Sequence, residues 1–64
     1  MKNKIKELRK QQNLRQEDIA DILGVTRQTI NAIENNKYNP TLELAMKLAQ
    51  LLNSTVEELF ILEV

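Results

Sequence analysis

The stretch of residues 16–35, QEDIADILGVTRQTINAIEN, constrains the fold more than any other part of this sequence. Its apolar residues recur three and four positions apart on both sides of Gly24, which is typical of two amphipathic helices joined by a short turn. Gly24 adopts the positive φ of a tight turn without the steric cost of a Cβ atom, and Ala20 is small enough for a close helix crossing. The pattern predicts helices over about 16–23 and 27–35.

The two predicted helices also carry suitable end residues and a common inner face. Thr26 is a good N-cap for the second helix, and the acidic residues Glu17 and Asp18 complement the dipole of the first. The apolar residues that we expect to face inward are Ile19, Leu23, Val25, Ile30 and Ile33. Together with Ala20 and Gly24 these positions are a specific signal for a helix-turn-helix unit, although no single one of them is informative.

The segments on either side of this unit predict two further helices. Asn3 is a suitable cap for a helix over about 3–12. After the loop-forming residues 35–40, Thr41 is a suitable cap for a helix over about 42–52. With the two central helices, these make four helices before the C-terminal segment.

The C-terminal segment predicts a last short helix, a strand and an apolar surface that needs covering. Ser54 and Glu57 have the spacing of a capping box, so we expect a fifth helix over about 55–60, and the tail 61–64 favours a short strand. The apolar residues left over include Phe60, Ile61, Leu62 and Val64. This surface either packs against the first helix within one copy or favours self-association.

The side-chain inventory excludes most chemistry. The 64 residues include no His and no Cys, and they include one Ser, Ser54, and one Tyr, Tyr38. Nucleophile–base pairs and soft-metal sites therefore cannot be assembled, and we expect no enzymatic activity, metal, cofactor or small-molecule substrate. The lack of Cys fits a cytoplasmic protein, and no apolar run approaches the ~18–20 residues of a membrane span.

Size and charge distribution narrow the remaining possibilities. A single domain over residues 1–64 buries only about 60% of its unfolded surface, so it needs efficient packing or a second copy to be stable. The net charge of zero hides a gradient, because residues 1–16 carry +5, residues 17–40 carry −2 and residues 41–64 carry −3. The basic end either faces a polyanion or is an ordinary solvated surface.

At this point the sequence resembles the Cro/CI-type (XRE) helix-turn-helix family of bacterial and phage repressors. The resemblance covers nearly the whole chain, including the unit at 16–35, NPT at 39–41 and VEEL at 56–59. It is strongest to short, stand-alone, dimeric members of the family. It implies an all-α, five-helix, lambda-repressor-like DNA-binding domain, which in some members also has a short antiparallel β ribbon joining the chain ends.

The resemblance also implies roles for individual residues at the DNA surface. The implied base contacts are Arg27, Gln28, Thr29 and Asn31, and the implied phosphate contacts are Gln16, Asn35, Lys37 and Tyr38. The chemistry agrees for two of them, because Arg suits the O6 and N7 edge of guanine and Gln suits the N6 and N7 edge of adenine. Phosphate contacts would fix register and orientation without reading sequence.

Three further positions of the family pattern bear on stability. Arg9 and Glu34 match a partly buried ion pair that fixes the angle of the DNA-reading helix; the alternative is two surface charges contributing ~0–1 kcal/mol. Arg15 stands where a Ser or Thr usually caps the second helix, and loss of such a cap costs about 0.5–2 kcal/mol. Asn36 stands where Gly is usual, which predicts a left-handed Asn at that position.

The resemblance implies a sequence-specific transcriptional regulator, most simply a homodimeric repressor of an inverted-repeat operator in double-stranded DNA. Two copies would place the helices that begin near Arg27 about 34 Å apart in successive major grooves. The alternative interpretation is an antitoxin or adaptor that mainly binds another protein through its apolar tail. A discrete homodimer favours the first, and a stoichiometric foreign partner favours the second.

Overall fold

The computed structural model describes residues 1–63 and confirms five short helices and a two-stranded antiparallel ribbon. The helices are α1 (Ile5–Gln11), α2 (Gln16–Leu23), α3 (Arg27–Glu34), α4 (Leu42–Leu51) and α5 (Val56–Leu59). The ribbon joins β1 (Lys2–Asn3) to β2 (Phe60–Ile61), with Lys2 opposite Ile61 and Asn3 opposite Phe60. Among the described residues, no helix has both the length and the apolar character that crossing a bilayer requires.

The hydrophobic core lies where the helices converge and draws on all five of them. Its fully buried large side chains are Ile5, Ile19, Ile30, Ile33, Leu48, Leu52 and Leu59. From the inner face predicted for the helix-turn-helix unit, Leu23 and Val25 are half-buried and pack against this cluster. Ala20 is 3% exposed, which fits its expected place where α2 and α3 pack against each other.

Side-chain caps start three of the helices. Thr26 and Thr41 cap α3 and α4 as predicted, each accepting a hydrogen bond of 3.2 Å from the backbone N–H three residues later. The predicted cap of α5 is wrong by one residue, because Thr55 rather than Ser54 accepts from the N–H of Glu58. The Ser54 N–H is bonded instead to the carbonyl of Ala49, where it completes the end of α4.

The start of α2 is stabilised without a capping side chain at Arg15. The Asp18 carboxylate accepts a 2.8 Å hydrogen bond from the Arg15 backbone N–H, so the second half of a capping box replaces the missing first half. The Arg15 guanidinium also bonds to Asp18, at 3.1 Å, and this hydrogen bond lowers the pKa of the Asp18 carboxyl. In this conformation Arg15 serves its own helix.

The helices α1 to α4 end in the same way, with one residue in the left-handed conformation. These residues are Asn13 (φ 57°), Gly24 (φ 71°), Asn36 (φ 61°) and Asn53 (φ 59°). The N–H of the residue that follows each of them bonds to the carbonyl five residues earlier, at 2.8–3.0 Å, which is the Schellman arrangement. Left-handed Asn36 agrees with its predicted conformation.

The chain ends differ in detail from the prediction. Asn3 belongs to β1 rather than to the predicted helix over 3–12, and α1 begins at Ile5, whose N–H donates to Asn3 Oδ1 at 3.1 Å. The C-terminal strand is Phe60–Ile61 rather than 61–64, because Phe60 turns into the core and pairs opposite Asn3. Val64 lies outside the described residues.

We expect Asn13→Gly and Asn53→Gly to stabilise the protein. The left-handed conformation costs an L-residue roughly 1–2 kcal/mol and Gly costs about 0.5–1 kcal/mol in chain entropy, so the net gain is about 0.5 kcal/mol, or roughly 2–4 °C in Tm. Asn36→Gly should gain less, since it also removes an acceptor used by Asn3. Thermal unfolding at one protein concentration tests this; a lower Tm for the first two variants contradicts it.

Candidate nucleic-acid interface

The N-terminal half of α3 presents a polar surface to solvent. Arg27, Gln28 and Asn31 are exposed, and with Gln16 they line a shallow depression of about 220 Å³. Thr29 is half-buried, and its hydroxyl lies 3.0 Å from that of Thr26. The structure therefore brings four of the predicted DNA-contact residues together and leaves them accessible.

A buried ion pair lies beneath this surface. Arg9 Nε is 2.8 Å from Glu34 Oε2 and Arg9 Nη2 is 3.2 Å from Glu34 Oε1, so the pairing is bidentate. The side chains are only 11% and 2% exposed. The third guanidinium nitrogen, Nη1, donates to the carbonyl of Leu14 at 3.0 Å. One side chain of α1 therefore holds both the C-terminal end of α3 and the segment that precedes α2.

The ion pair continues into a row of side-chain amides that reaches the surface. Gln16 Nε2 donates to Glu34 Oε1 at 3.1 Å, and Gln16 Oε1 lies 3.5 Å from Asn31 Nδ2. Asn35 Nδ2 donates to Asn31 Oδ1 at 3.2 Å. Because an amide nitrogen carries two hydrogens, Gln16 keeps a second N–H for a ligand while the first is held by Glu34.

The loop after α3 supplies the remaining predicted contacts. Asn35, Lys37 and Tyr38 are all exposed, and Tyr38 is 48% accessible, so its ring does not close the core. Tyr38 and Thr29 line a second shallow depression, of about 360 Å³, together with Lys47 of α4. Lys47 was not among the predicted contacts, and its amine lies 3.2 Å from Glu43.

Asn3 is a positioning residue that the sequence did not reveal. Its Nδ2 donates to the carbonyl of Ile33 at 2.8 Å and lies 3.3 Å from Asn36 Oδ1. The ribbon therefore holds the C-terminal end of α3 and the first residues of the loop. No local pattern identifies this role, because the partners are 30 and 33 residues away in the sequence.

The chemistry of this surface is that of recognition. Within residues 1–63 no cluster of His, Cys, Asp or Glu could hold a metal ion. The exposed groups are instead a guanidinium, several amides, a hydroxyl and an ammonium, and they surround the start of a helix that α2 and the ion pair support. A helix with these groups at its exposed end fits the major groove. The fold and the site together define a DNA-binding helix-turn-helix domain.

Comparison with known proteins agrees with this class. The family model described as helix-turn-helix matches residues 5–59, and the chain belongs to the helix-turn-helix family of DNA-binding transcriptional regulators. It is 54% identical over 63 residues to an uncharacterized HTH-type transcriptional regulator of Methanocaldococcus jannaschii, covering 98% of this chain and 96% of that protein. A regulator of the same description from Bacillus subtilis is 46% identical over the same shares.

A phage protein is a more distant relative. The ImmF control region 10 kDa protein of Bacillus phage phi105 is 33% identical over 60 residues, which cover 94% of this chain and 67% of that protein. The similarity therefore extends from archaeal and bacterial regulators to a phage control region.

We expect Arg9→Met to destabilise the protein by about 3–5 kcal/mol, because it leaves Glu34 buried without its partner. This approaches the whole stability of a domain of this size. The double variant Arg9→Met/Glu34→Leu should recover most of the loss, since neither charge then remains. Urea unfolding at one protein concentration measures both effects. A loss below about 1 kcal/mol in the single variant, as for a surface pair, would contradict the prediction.

Proposed function

We propose that the protein is a sequence-specific repressor of the cytoplasm that binds an inverted-repeat operator as a homodimer. Each copy would place α3 in the major groove, with the two helices about 34 Å apart on one face of the duplex. Occupancy of a promoter would then block transcription without a further catalytic or ligand-binding step.

The proposed division of labour follows the position of each side chain. Arg27, Gln28 and Thr29, at the start of α3, read base edges, and Asn31 lies one turn later at the edge of the same depression. The residues assigned to phosphate contacts flank this group on both sides: Gln16, Asn35, Lys37 and Tyr38. Phosphate contacts on both sides of the reading residues would fix how deeply α3 enters the groove.

The observation that carries the proposal is the availability of the two long reading side chains. Within residues 1–63, neither Arg27 nor Gln28 uses its side chain in a hydrogen bond or ion pair. Both lie on a helix whose other end is fixed by Glu34, which is 2% exposed. Polar groups that are accessible, unengaged and rigidly supported lose little free energy when they bind a base edge.

Selection of binding sites from random duplex DNA tests the proposal. The expected result is an inverted repeat whose half-sites are centred about one helical turn, or 10–10.5 base pairs, apart. Gln28→Ala should weaken binding to the selected site by roughly 1–3 kcal/mol and relax the preference at one base position in each half-site. Its Tm should not change, because the side chain supports no internal contact.

Gln11→Ala is the matched control, since Gln11 is exposed on α1 beside Gln12, whose amide bonds to Leu52 at the far end of α4. It should leave affinity and preference unchanged. Selection that yields no common sequence would refute sequence-specific binding. Equal losses for Gln28→Ala on selected and random DNA would show that Gln28 positions the protein without reading a base.

A further inference from the structure

An apolar surface lies on the side of the molecule formed by the ribbon and the start of α4. A depression of about 270 Å³ on this side is lined mainly by apolar residues. Met46 follows Leu42 by one turn on the same face of α4, and Leu62 follows Phe60 by two residues, which puts both on one side of the extended chain. We call this surface the ribbon–α4 face; its residues are Met1, Pro40, Leu42, Met46, Phe60 and Leu62.

The exposure of this face is unusual for so small a chain. Leu42 is 72% exposed, Leu62 is 73%, Met46 is 52% and Met1 is 46%. Single exposed apolar side chains are ordinary, but apolar side chains grouped around one depression mark a surface that binds a partner. Packing within one copy therefore leaves this part of the apolar excess uncovered.

We propose that a second copy of the chain covers the ribbon–α4 face. The side chains of this face are uncharged, and its one charge, the Met1 amine, donates to Asn39 Oδ1 at 3.5 Å. Nearby charges are paired within one copy: Lys47 with Glu43 at 3.2 Å and Lys2 with Glu63 at 3.8 Å. A surface without net charge meets its own copy without repulsion, whereas a strongly acidic or basic partner would find no counter-charge on it.

The position of the face also suits a two-fold DNA-binding dimer, and to this extent the inference rests on the proposed function. Pro40 belongs to the face and lies two residues after Tyr38, so the face adjoins the loop assigned to phosphate contacts. It shares no residue with the depression that contains Arg27 and Gln28. A copy docked here leaves both reading residues accessible.

The required area is also modest. A standard interface buries about 800 Å² on each partner, which is less than a fifth of the 4511 Å² surface of one copy. The grouped apolar side chains would form the centre of such an interface and the two ion pairs its rim, which is the usual arrangement.

Sedimentation equilibrium of the full chain tests the proposal. The wild type should dimerise, and Leu42→Glu should raise the dimer dissociation constant about 100-fold or more, because the two-fold axis introduces two buried carboxylates. Ile22→Glu is the matched control, since Ile22 is 60% exposed on α2 and the variant has the same charge change. It should leave the constant within about three-fold. Circular dichroism shows whether each variant is folded.

Three results would overturn the proposal: a monomeric wild type at about 100 μM, an unchanged constant for Leu42→Glu, or equal weakening by both variants. A monomeric wild type that forms a stoichiometric complex with a foreign protein would assign the face to that partner instead. Binding of Leu42→Glu to a single half-site separates this inference from the proposed function. Half-site preference should persist in the variant, and its loss in the wild type as well would count against DNA reading itself.

The amide of Asn31 carries a second, independent inference. Its Nδ2 lies 3.5 Å from Gln16 Oε1, and its Oδ1 accepts from Asn35 at 3.2 Å. Both ends of the amide therefore face residues assigned to phosphate contacts. We infer that Asn31 is a positioning residue, which holds Gln16 and Asn35 at a fixed separation, more than a reader of a base edge.

Asn31→Ala tests this role. We expect roughly 10-fold weaker binding to every duplex with unchanged base preference, because the variant loosens two phosphate contacts and no base contact. The side-chain NH₂ signals of Gln16 and Asn35 in NMR spectra of the free protein should report greater mobility, while the Tm stays the same. A loss confined to one base position, the pattern expected for Gln28→Ala, would make Asn31 a base reader and overturn the inference, as would unchanged binding.

Discussion

The ion pair between Arg9 and Glu34 is the interaction on which the rest of the structure depends. Removing two charges from water costs several kcal/mol for each ion, and the cost is offset only when the geometry and the remaining hydrogen bonds are satisfied. Here all three guanidinium nitrogens have acceptors, and the carboxylate has a further donor in Gln16. Because these partners belong to α1, to the segment before α2 and to α3, satisfying one pair fixes the relative placement of three parts of the fold.

A chain of 64 residues has few residues to spare between helices, and several of its polar residues serve two elements at once. Ser54 uses its N–H to end α4 and directly precedes the cap of α5. Asn3 pairs in the ribbon, accepts from the first N–H of α1 and donates to the end of α3. Such shared residues replace longer connecting loops, and they explain why the chain ends, although distant from the DNA-facing surface, are joined to the recognition helix by hydrogen bonds.

Sequence reasoning succeeded where the determining interactions are local. Gly24 and Thr26 act within a few residues of their own positions, so the bounds of α2 and the start of α3 were predicted correctly. It failed for Ser54, because the end of α4 uses the N–H of that residue and displaces the cap to Thr55, and for Asn3, whose partners lie across the molecule. The exposure of Arg27 and Gln28 followed from helical periodicity, whereas the row of amides beside them depends on side-chain conformations that periodicity does not determine.

The structure separates the residues that build the interface from those proposed to read DNA. Glu34 is buried and satisfied by several donors, so its replacement disturbs the frame of the whole domain. Arg27 and Gln28 make no side-chain hydrogen bond within residues 1–63, so their replacement leaves that frame in place. Base preference and stability are then set by different side chains. This separation explains how one small fold suits many operators: the reading residues can change without a compensating change in the core, provided that the ion pair and the amides connected to it remain.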